Sequence, residues 1–373
     1  MNQTQTVVKV PFFDLKRQYQ TIKTEVLEQV EAVFESMMVT NGPFVEQFEK
    51  EFAAYCNVEH CAAVNTGTSA LHLAMQTLDV GPGDEVIVPA NTFIATPWGA
   101  TYVGGTPVFV DCKADTWEID IEAVEKAITP KTKVVVGVHL YGQPFEALKL
   151  KALCEKHNIF LVEDAAQGHG GYIGEHRVGS IGHMACFSFY PGKNLGTYGE
   201  GGAVVSNNKD YIDRVKRLRN LGSAKKYYHE ELGYNMRMGA VQGAVLSVKL
   251  KQLDTWNARR QEVASRYLSE IKNSAIQHQH QPENFQSVFH LYVIKTANRK
   301  HFMDYMAANN VGAAMHYPVP CHLQECYAHL GYQEGDFPES ESLAASCVSL
   351  PLFPEMTDAE VNRVIEVVNA YQA

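Results

Sequence analysis

Short apolar, β-branched runs alternate along this chain with stretches whose apolar positions recur at helical spacing. The runs at 61–64, 85–88, 107–110, 133–138, 160–162, 185–189 and 202–206 predict strands. Between several of them, 69–78, 94–102, 121–128 and 146–157 predict helices. The strands are apolar throughout, and strand–helix–strand repetition puts helices on both faces of a mostly parallel sheet, an α/β domain. Ahead of this region, 17–38 reads as one long helix whose packing partner the sequence does not reveal. Behind it, a long helical pattern over 239–268 runs through Leu246, Leu250, Leu253 and Trp256. It is expected to bridge to a smaller C-terminal α+β unit with a strand at 288–295 and a last helix at 358–371. The expected domains are therefore 1–250 and 251–373, sharing an interface because no flexible linker separates them.

Composition narrows the function. The 373 residues are 46% hydrophobic and 20% charged, as in an ordinary globular protein. A formal charge of −10 argues against a nucleic-acid binder, which needs clustered Lys and Arg. An anionic small molecule is still admissible, because local donors can hold it against the net charge. Met1-Asn2-Gln3-Thr4 carries no signal-peptide pattern and no apolar run approaches a bilayer span, so a cytoplasmic protein without membrane association is expected. The eight cysteines are scattered, several of them inside apolar runs, and read as reduced structural thiols. Cys321, His322, Cys326 and His329 match no zinc spacing, so no metal is expected.

Three segments carry candidate chemistry. Phe160-Leu161-Val162-Glu163-Asp164 is an apolar strand ending in acid, at the edge where open α/β sheets bind ligands. Neighbouring strand residues point to opposite faces, so Glu163 and Asp164 do not serve one ligand together. Ala185-Cys186-Phe187-Ser188-Phe189-Tyr190 is a second apolar strand, followed by Pro191-Gly192-Lys193 and then four glycines within 196–202. A lysine on such a turn is placed to be desolvated, which lowers its pKa and leaves the amine nucleophilic. Asn65-Thr66-Gly67-Thr68-Ser69 runs from a strand into a helix and forms an anion cradle of N–H groups and hydroxyls. Taken singly, these read as a helix cap, a surface lysine and another helix cap. Together they meet the needs of pyridoxal 5′-phosphate (PLP): a lysine for the aldehyde, an acid for the pyridine nitrogen and a cradle for the phosphate. No G-x-G-x-x-G follows a strand and no Gly-Lys-Ser/Thr occurs, so dinucleotide and NTPase readings lack their motifs.

Across its length the chain resembles the DegT/DnrJ/EryC1/StrS aminotransferases. The matching stretches are 65–73, Val88-Pro89-Ala90-Asn91-Thr92-Phe93, Val162-Glu163-Asp164-Ala165-Ala166-Gln167, 187–202, Gly233-Tyr234-Asn235-Met236-Arg237 and His316-Tyr317-Pro318. The resemblance implies an aspartate-aminotransferase-like (type I PLP) fold, with a mixed, mostly parallel sheet in the large domain. It implies Lys193 as the Schiff-base lysine, Asp164 at the pyridine nitrogen, Gln167 at the ring hydroxyl and Phe93 on the ring face. Gly67, Thr68, Ser69 and Ser188 match the phosphate site, and Asn235 the asparagine that reaches a neighbouring subunit's phosphate, implying a homodimer with shared sites. L-glutamate is the implied amino donor.

Phe189-Tyr190-Pro191-Gly192-Lys193-Asn194-Leu195-Gly196 and 220–229 resemble the branch that aminates C3 of nucleotide-linked 3-keto-6-deoxyhexoses, with dTDP as the nucleotide by analogy. Tyr190, Lys225, Arg237, His316, Tyr317 and His322 are the substrate-side candidates. Lys225 also reads as a solvated loop lysine, and His316 or His322 as a hydrogen-bonded structural histidine. A C4 sugar or cyclitol-type aminotransferase is the alternative within enzymes, and a non-catalytic PLP-binding regulator the alternative outside them. The gluco or galacto form of the product stays open at this point.

Overall fold

The computed structural model describes residues 8–372. The N-terminal residues 1–4, on which the expectation of no signal peptide rests, lie outside them. In chain order the elements of the first two-thirds are α1 (Leu15–Ser36), α2 (Pro43–Tyr55), β1 (His60–Val64), α3 (Gly67–Thr77), β2 (Glu85–Pro89), α4 (Ala95–Thr101) and β3 (Thr106–Val110). Then come α5 (Ile121–Ala127), β4 (Thr132–Val138), α6 (Ala147–Lys156), β5 (Phe160–Asp164), β6 (Tyr172–Ile173), β7 (His176–Arg177), β8 (Met184–Ser188), β9 (Gly202–Ser206) and α7 (Lys209–Leu218). The remainder holds α8 (Ala240–Leu250), α9 (Leu253–Glu270), β10 (Gln277–His278), β11 (Phe285–Gln286), β12 (Tyr292–Lys295), α10 (Arg299–Ala308), α11 (Pro338–Ser346), β13 (Cys347–Leu350) and α12 (Asp358–Ala370).

A seven-stranded sheet in the order β1-β9-β8-β5-β4-β2-β3 forms the centre. β9 runs against both its neighbours, and every other strand points the same way. The α/β, mostly parallel expectation holds, with one reversed strand making the sheet mixed. Alternate residues of the apolar strands feed opposite faces. Val86, Val88, Val134, Val136 and Val162 pack on one face with α3 and α4. Ile87, Val135 and Leu161 pack on the other with α5 and α6.

A second sheet, β10-β12-β13, carries its own core of Ile294, Phe302, Val348 and Val364, to which α9 lends Val263, Ala264 and Tyr267. The long N-terminal helix finds its partner in α8 and the start of α9: Ile22 and Val26 pack against Val245 and Val248 of the first and Trp256 of the second. Among the described residues, no helix is long and apolar enough to cross a membrane.

Two expectations need correction. The helix read over 239–268 is two helices, interrupted at Lys251 and Gln252. Both residues keep near-helical angles (φ −63° and −99°), so the apolar spacing through Leu250 and Leu253 passes the bend and cannot reveal it. The strand read over 288–295 is Tyr292–Lys295 alone. Phe289 turns the chain at φ 42°, and the Val288 N–H bonds to Gly142 O of the large sheet's loop, not to a strand neighbour. The pattern also passed over α2, α7, α10, α11 and β13.

The topology sets up one edge. β1, β5 and β8 end there, and β9, being reversed, begins there with Gly202 opposite both Val64 and Ser188. Gly202 has no room for a side chain: a Cβ would overlap the Thr66 carbonyl and lie 2.7 Å from Gly67 N. Gly202→Ala is expected to push the start of α3 out of place and to destabilise the fold by about 1–3 kcal/mol, measured by urea denaturation.

Candidate active site

β5 divides its two terminal acids between the faces of the sheet. Glu163 is fully buried and accepts from His139 Nε2 (2.9 Å) and from the N–H groups of Gly179, Ile181 and Gly182. Burial alone would raise its pKa, but those donors outweigh it and hold the carboxyl below its ordinary value. Asp164 faces the other way. Thr96 Oγ1 donates to it at 2.7 Å and Ala166 N–H at 3.2 Å. Here burial wins and the carboxyl sits above its ordinary value, against the opposing pull of Thr96, Ala166 and Lys193.

Lys193 lies in the turn after β8. Its own N–H bonds to Tyr190 O at 2.8 Å, and Thr197 N–H returns to Phe189 O at 2.8 Å, so the turn closes on the strand it leaves. Desolvation brings the Lys193 amine down to about 8, with Asp164 resisting the shift. Among the described residues no ion pair joins the two, so the carboxylate acts on the amine through its field alone. Three imidazoles complete the surroundings, His169 buried and His290 and His316 half-buried. His169 is held down to about 3 and His316 to about 4, each by burial first and the nearby amine second; His290 is lowered in the same way. Neutral rings leave the lysine as the only cation among these groups.

The cradle forms beside it. Thr66 caps α3 by accepting from Ser69 N–H at 2.9 Å, and its hydroxyl donates to Ser69 Oγ. The first-turn N–H groups of Gly67 and Thr68 have no helical carbonyl to bond. A Cβ on Gly67 would lie 2.5 Å from Ser188 Cβ, so only glycine lets the start of α3 approach the end of β8 this closely. Gly67, Thr68, Ser69 and Ser188 therefore meet at one place. Asn65 runs alongside, its N–H on Met236 O and its Oδ1 buried with no partner.

Gln167 accepts from Tyr141 N–H at 2.7 Å and donates to Tyr317 Oη at 3.2 Å. Phe93 and Tyr317 lie with ring centroids 5.5 Å apart. The Tyr141 hydroxyl donates to the His316 carbonyl, and His316 Nδ1 lies 2.8 Å from Ser349 Oγ. Lys193, Asp164, Gln167, Phe93, His316 and Tyr317 are thus neighbours at one edge of the sheet, which the cradle shares.

Other candidates lie elsewhere. His322 is buried among Phe109, Tyr332 and Phe337, with Nε2 3.1 Å from Glu341, which favours the structural reading of this histidine over substrate contact. Tyr190 and Asn235 are exposed on the single chain. Arg237 reaches Asn220 Oδ1 at 2.9 Å, and Lys225 sits 4.9 Å over the Tyr228 ring in an exposed loop. Sequence reasoning did not single out Thr96, Tyr141, His169 or His290. Their signal is tertiary, since each acts by bonding or enclosing a motif residue distant in sequence.

These residues fit PLP. They offer a desolvated primary amine for an aldehyde, a buried acid for a ring nitrogen, and a glycine-lined helix start with free donors for a phosphate. The comparisons agree with this geometry. Residues 20–369 match the DegT/DnrJ/EryC1/StrS aminotransferase family. The chain is 42% identical to the dTDP-3-amino-3,4,6-trideoxy-alpha-D-glucose transaminase of Streptomyces venezuelae, over 97% of this chain and 96% of that one. It is 41% identical to the dTDP-3-amino-3,6-dideoxy-alpha-D-galactopyranose transaminase of Aneurinibacillus thermoaerophilus, over 97% and 99%. The crystal structure of S. venezuelae DesV in complex with a ketimine intermediate superposes with a TM-score of 0.95 at 42% identity, covering 97% of this chain and 98% of that one.

The depressed amine has a consequence for stability. Between about 8 and the 10.5 of a free lysine, the unfolded chain binds a proton that the cofactor-free folded chain does not, so stability rises with pH across that window. The penalty is complete below pH 8. Cofactor-free Lys193→Met is therefore expected to be more stable than cofactor-free wild type at pH 7, by roughly 1–3 kcal/mol, and to lose that advantage by pH 10.5. Urea denaturation at the two pH values measures it.

Proposed function

The chain belongs to the DegT/DnrJ/EryC1/StrS aminotransferase family, and from that premise we propose that it moves an amino group from L-glutamate to C3 of a dTDP-linked 3-keto-6-deoxyhexose. The protein is an aminotransferase, and its family is PLP-dependent. The observation that carries the reading is the meeting of a desolvated Lys193, a buried Asp164 and the Gly67–Ser188 cradle on one sheet edge. The choice of C3 over C4 rests on the two transaminases at 41–42% identity, both named for 3-amino sugars.

Bound PLP supplies an electron sink that acidifies the proton on the carbon bearing the amino group. Everything else falls to the chain. Gly67, Thr68, Ser69 and Ser188 would hold the phosphate. Asp164 would serve the ring nitrogen; Thr96 and Ala166 orient its carboxylate and offset part of its burial cost. Gln167, locked by Tyr141 and Tyr317, would meet the ring hydroxyl. Phe93 would pack on the ring. Lys193, with a pKa near working pH, takes the proton from the donor's Cα and gives it up again as general base and then acid.

Substrate contacts are assigned to Tyr190, Lys225, Arg237, His316 and Tyr317, which lie beside Lys193 or on loops that a second copy would bring over it. Asn235, exposed on one chain, is assigned to the partner's phosphate site, making the working unit a homodimer. The domains are assigned as 1–250 and 251–373.

Visible absorption tests the reading. Purified protein loaded with PLP is expected to show a long-wavelength band that L-glutamate abolishes, and Lys193→Ala to fail to regenerate it. Asp164→Ala is expected to bind PLP yet lose about 100-fold or more in kcat. In a panel of dTDP-linked 3-keto and 4-keto sugars, the 3-keto substrates should turn over at least about tenfold faster, as expected where the site's polar groups match one carbonyl position. A protein that stays colourless with PLP removes the proposal, and preference for a 4-keto sugar removes its C3 part.

A further inference from the structure

Behind the turn that presents Lys193 lies a second buried lysine that the transamination chemistry does not use. Lys249, on α8, is 1% exposed. Its Nζ donates to the Gly196 carbonyl at 2.5 Å. The ammonium also stands 4.7 Å over the Tyr198 ring and 5.9 Å over that of Trp256. Burial lowers its pKa to about 8, and Glu355, on the segment leading into α12, pulls it back up. Glu355 has a buried Oε1 with no partner and is itself raised by burial, with Arg260, Gln18 and Lys249 opposing.

A buried ammonium with one hydrogen-bond acceptor is expensive, and a methionine would fill the same space without that cost. What Lys249 does there is visible in the bond it makes. Gly196 is the tightest point of the Lys193 turn: a Cβ on it would lie 2.5 Å from Pro191 O and 2.6 Å from Tyr190 O. Its own carbonyl points away from the active site, towards α8. The turn is therefore held at the front by the Lys193 and Thr197 amides on Tyr190 and Phe189, and from behind by Asn194 on Asn257 and Val288, Thr197 Oγ1 on the Gln242 carbonyl at 3.5 Å, and Lys249 on Gly196, the one charged group among these ties. Because α8 packs on α1 and the Glu355 segment faces the same ammonium, the back of the turn is tied to elements outside the sheet.

We propose that Lys249 is a positioning residue for transamination, its bond to the Gly196 carbonyl fixing the turn from which Lys193 reaches the substrate carbon. This rests on the reading of Lys193 as the proton-moving amine. A turn freed at Gly196 still leaves the phosphate cradle and Asp164 in place, so binding is spared while proton transfer suffers.

The test compares PLP-loaded wild type, Glu355→Gln, and the double variant Lys249→Met with Glu355→Gln; the single variant controls for the charge that Glu355 also turns towards Arg260. The double variant is expected to lose about 100-fold in kcat for the glutamate half-reaction, the scale of a misplacement of about 1 Å, with KM changed by less than about threefold. Glu355→Gln alone should stay within about threefold of wild type in both. Amide hydrogen exchange supplies the second readout: exchange should rise at least about tenfold in 193–202 and not in 62–75. A double variant with wild-type kcat overturns the proposal. So does exchange that rises equally in both segments, since that marks a general loss of stability. If the wild type itself shows no PLP-dependent turnover, the aminotransferase reading fails first, and the exchange result alone decides whether Lys249 holds the turn.

Discussion

An amine kept out of water beside an acid that does not pair with it is the constraint on which the site depends. Had Asp164 closed on Lys193, both groups would be locked in their charged forms and neither could serve a cofactor. The fold prevents this by giving the acid other partners: Thr96 and Ala166 occupy it, and only its field reaches the lysine. Thr96 stands in the first turn of α4, after β2, so the separation of the two charges is enforced by a strand two places away in the sheet. Desolvation then sets the amine near 8. The enclosing histidines keep the same logic, since a charged imidazole beside Lys193 would be repelled and a buried one is already neutral.

β5 shows how the sheet keeps two electrostatic environments apart by one residue of chain. Glu163 and Asp164 are both buried, yet one is held below its ordinary pKa and the other above it. The difference lies in the donors: four for Glu163, including three backbone N–H groups of the 179–182 loop, against two for Asp164. Glu163 is a structural anchor for the loop leading to β8, and so for the strand on which Lys193 is carried. The alternation of a strand thus turns a Glu-Asp pair into one fastening and one functional acid.

Much of this was legible in the sequence, and the parts that were not share a cause. The sheet strands, the Asp164 strand end, the Lys193 turn and the Gly67 cradle each show in local pattern, because each depends on residues adjacent in the chain. The break between α8 and α9 did not show, because Lys251 and Gln252 preserve helical phase through the bend. The shortened β12 did not show either, because Val288 is apolar for a contact with Gly142 and not for a place in the strand. Thr96, Tyr141, His169, His290 and Lys249 are ordinary residues in their local context. Only the fold brings them to Asp164, Gln167 and the Lys193 turn.

The same distinction separates chemistry from specificity in this protein. The groups that handle a cofactor lie at strand ends and helix starts, inside one chain, and are enclosed by it. The groups placed on the substrate side lie largely outside. Tyr190 is 55% exposed, Tyr227 80% and Leu232 94%, with Lys225 and Asn235 beside the latter two in the chain. Large apolar side chains this open, next to a site whose inner shell is closed, mark a surface that something covers. In the homodimer proposed above, a second copy would supply such a cover symmetrically, each Asn235 entering the other chain's cradle. An acidic protein that takes an anionic sugar nucleotide also needs its cations concentrated there, and Lys225, Lys226 and Arg237 are where the chain offers them. If the proposed dimer forms, the reaction type is written into one chain and the choice of sugar into the seam between two.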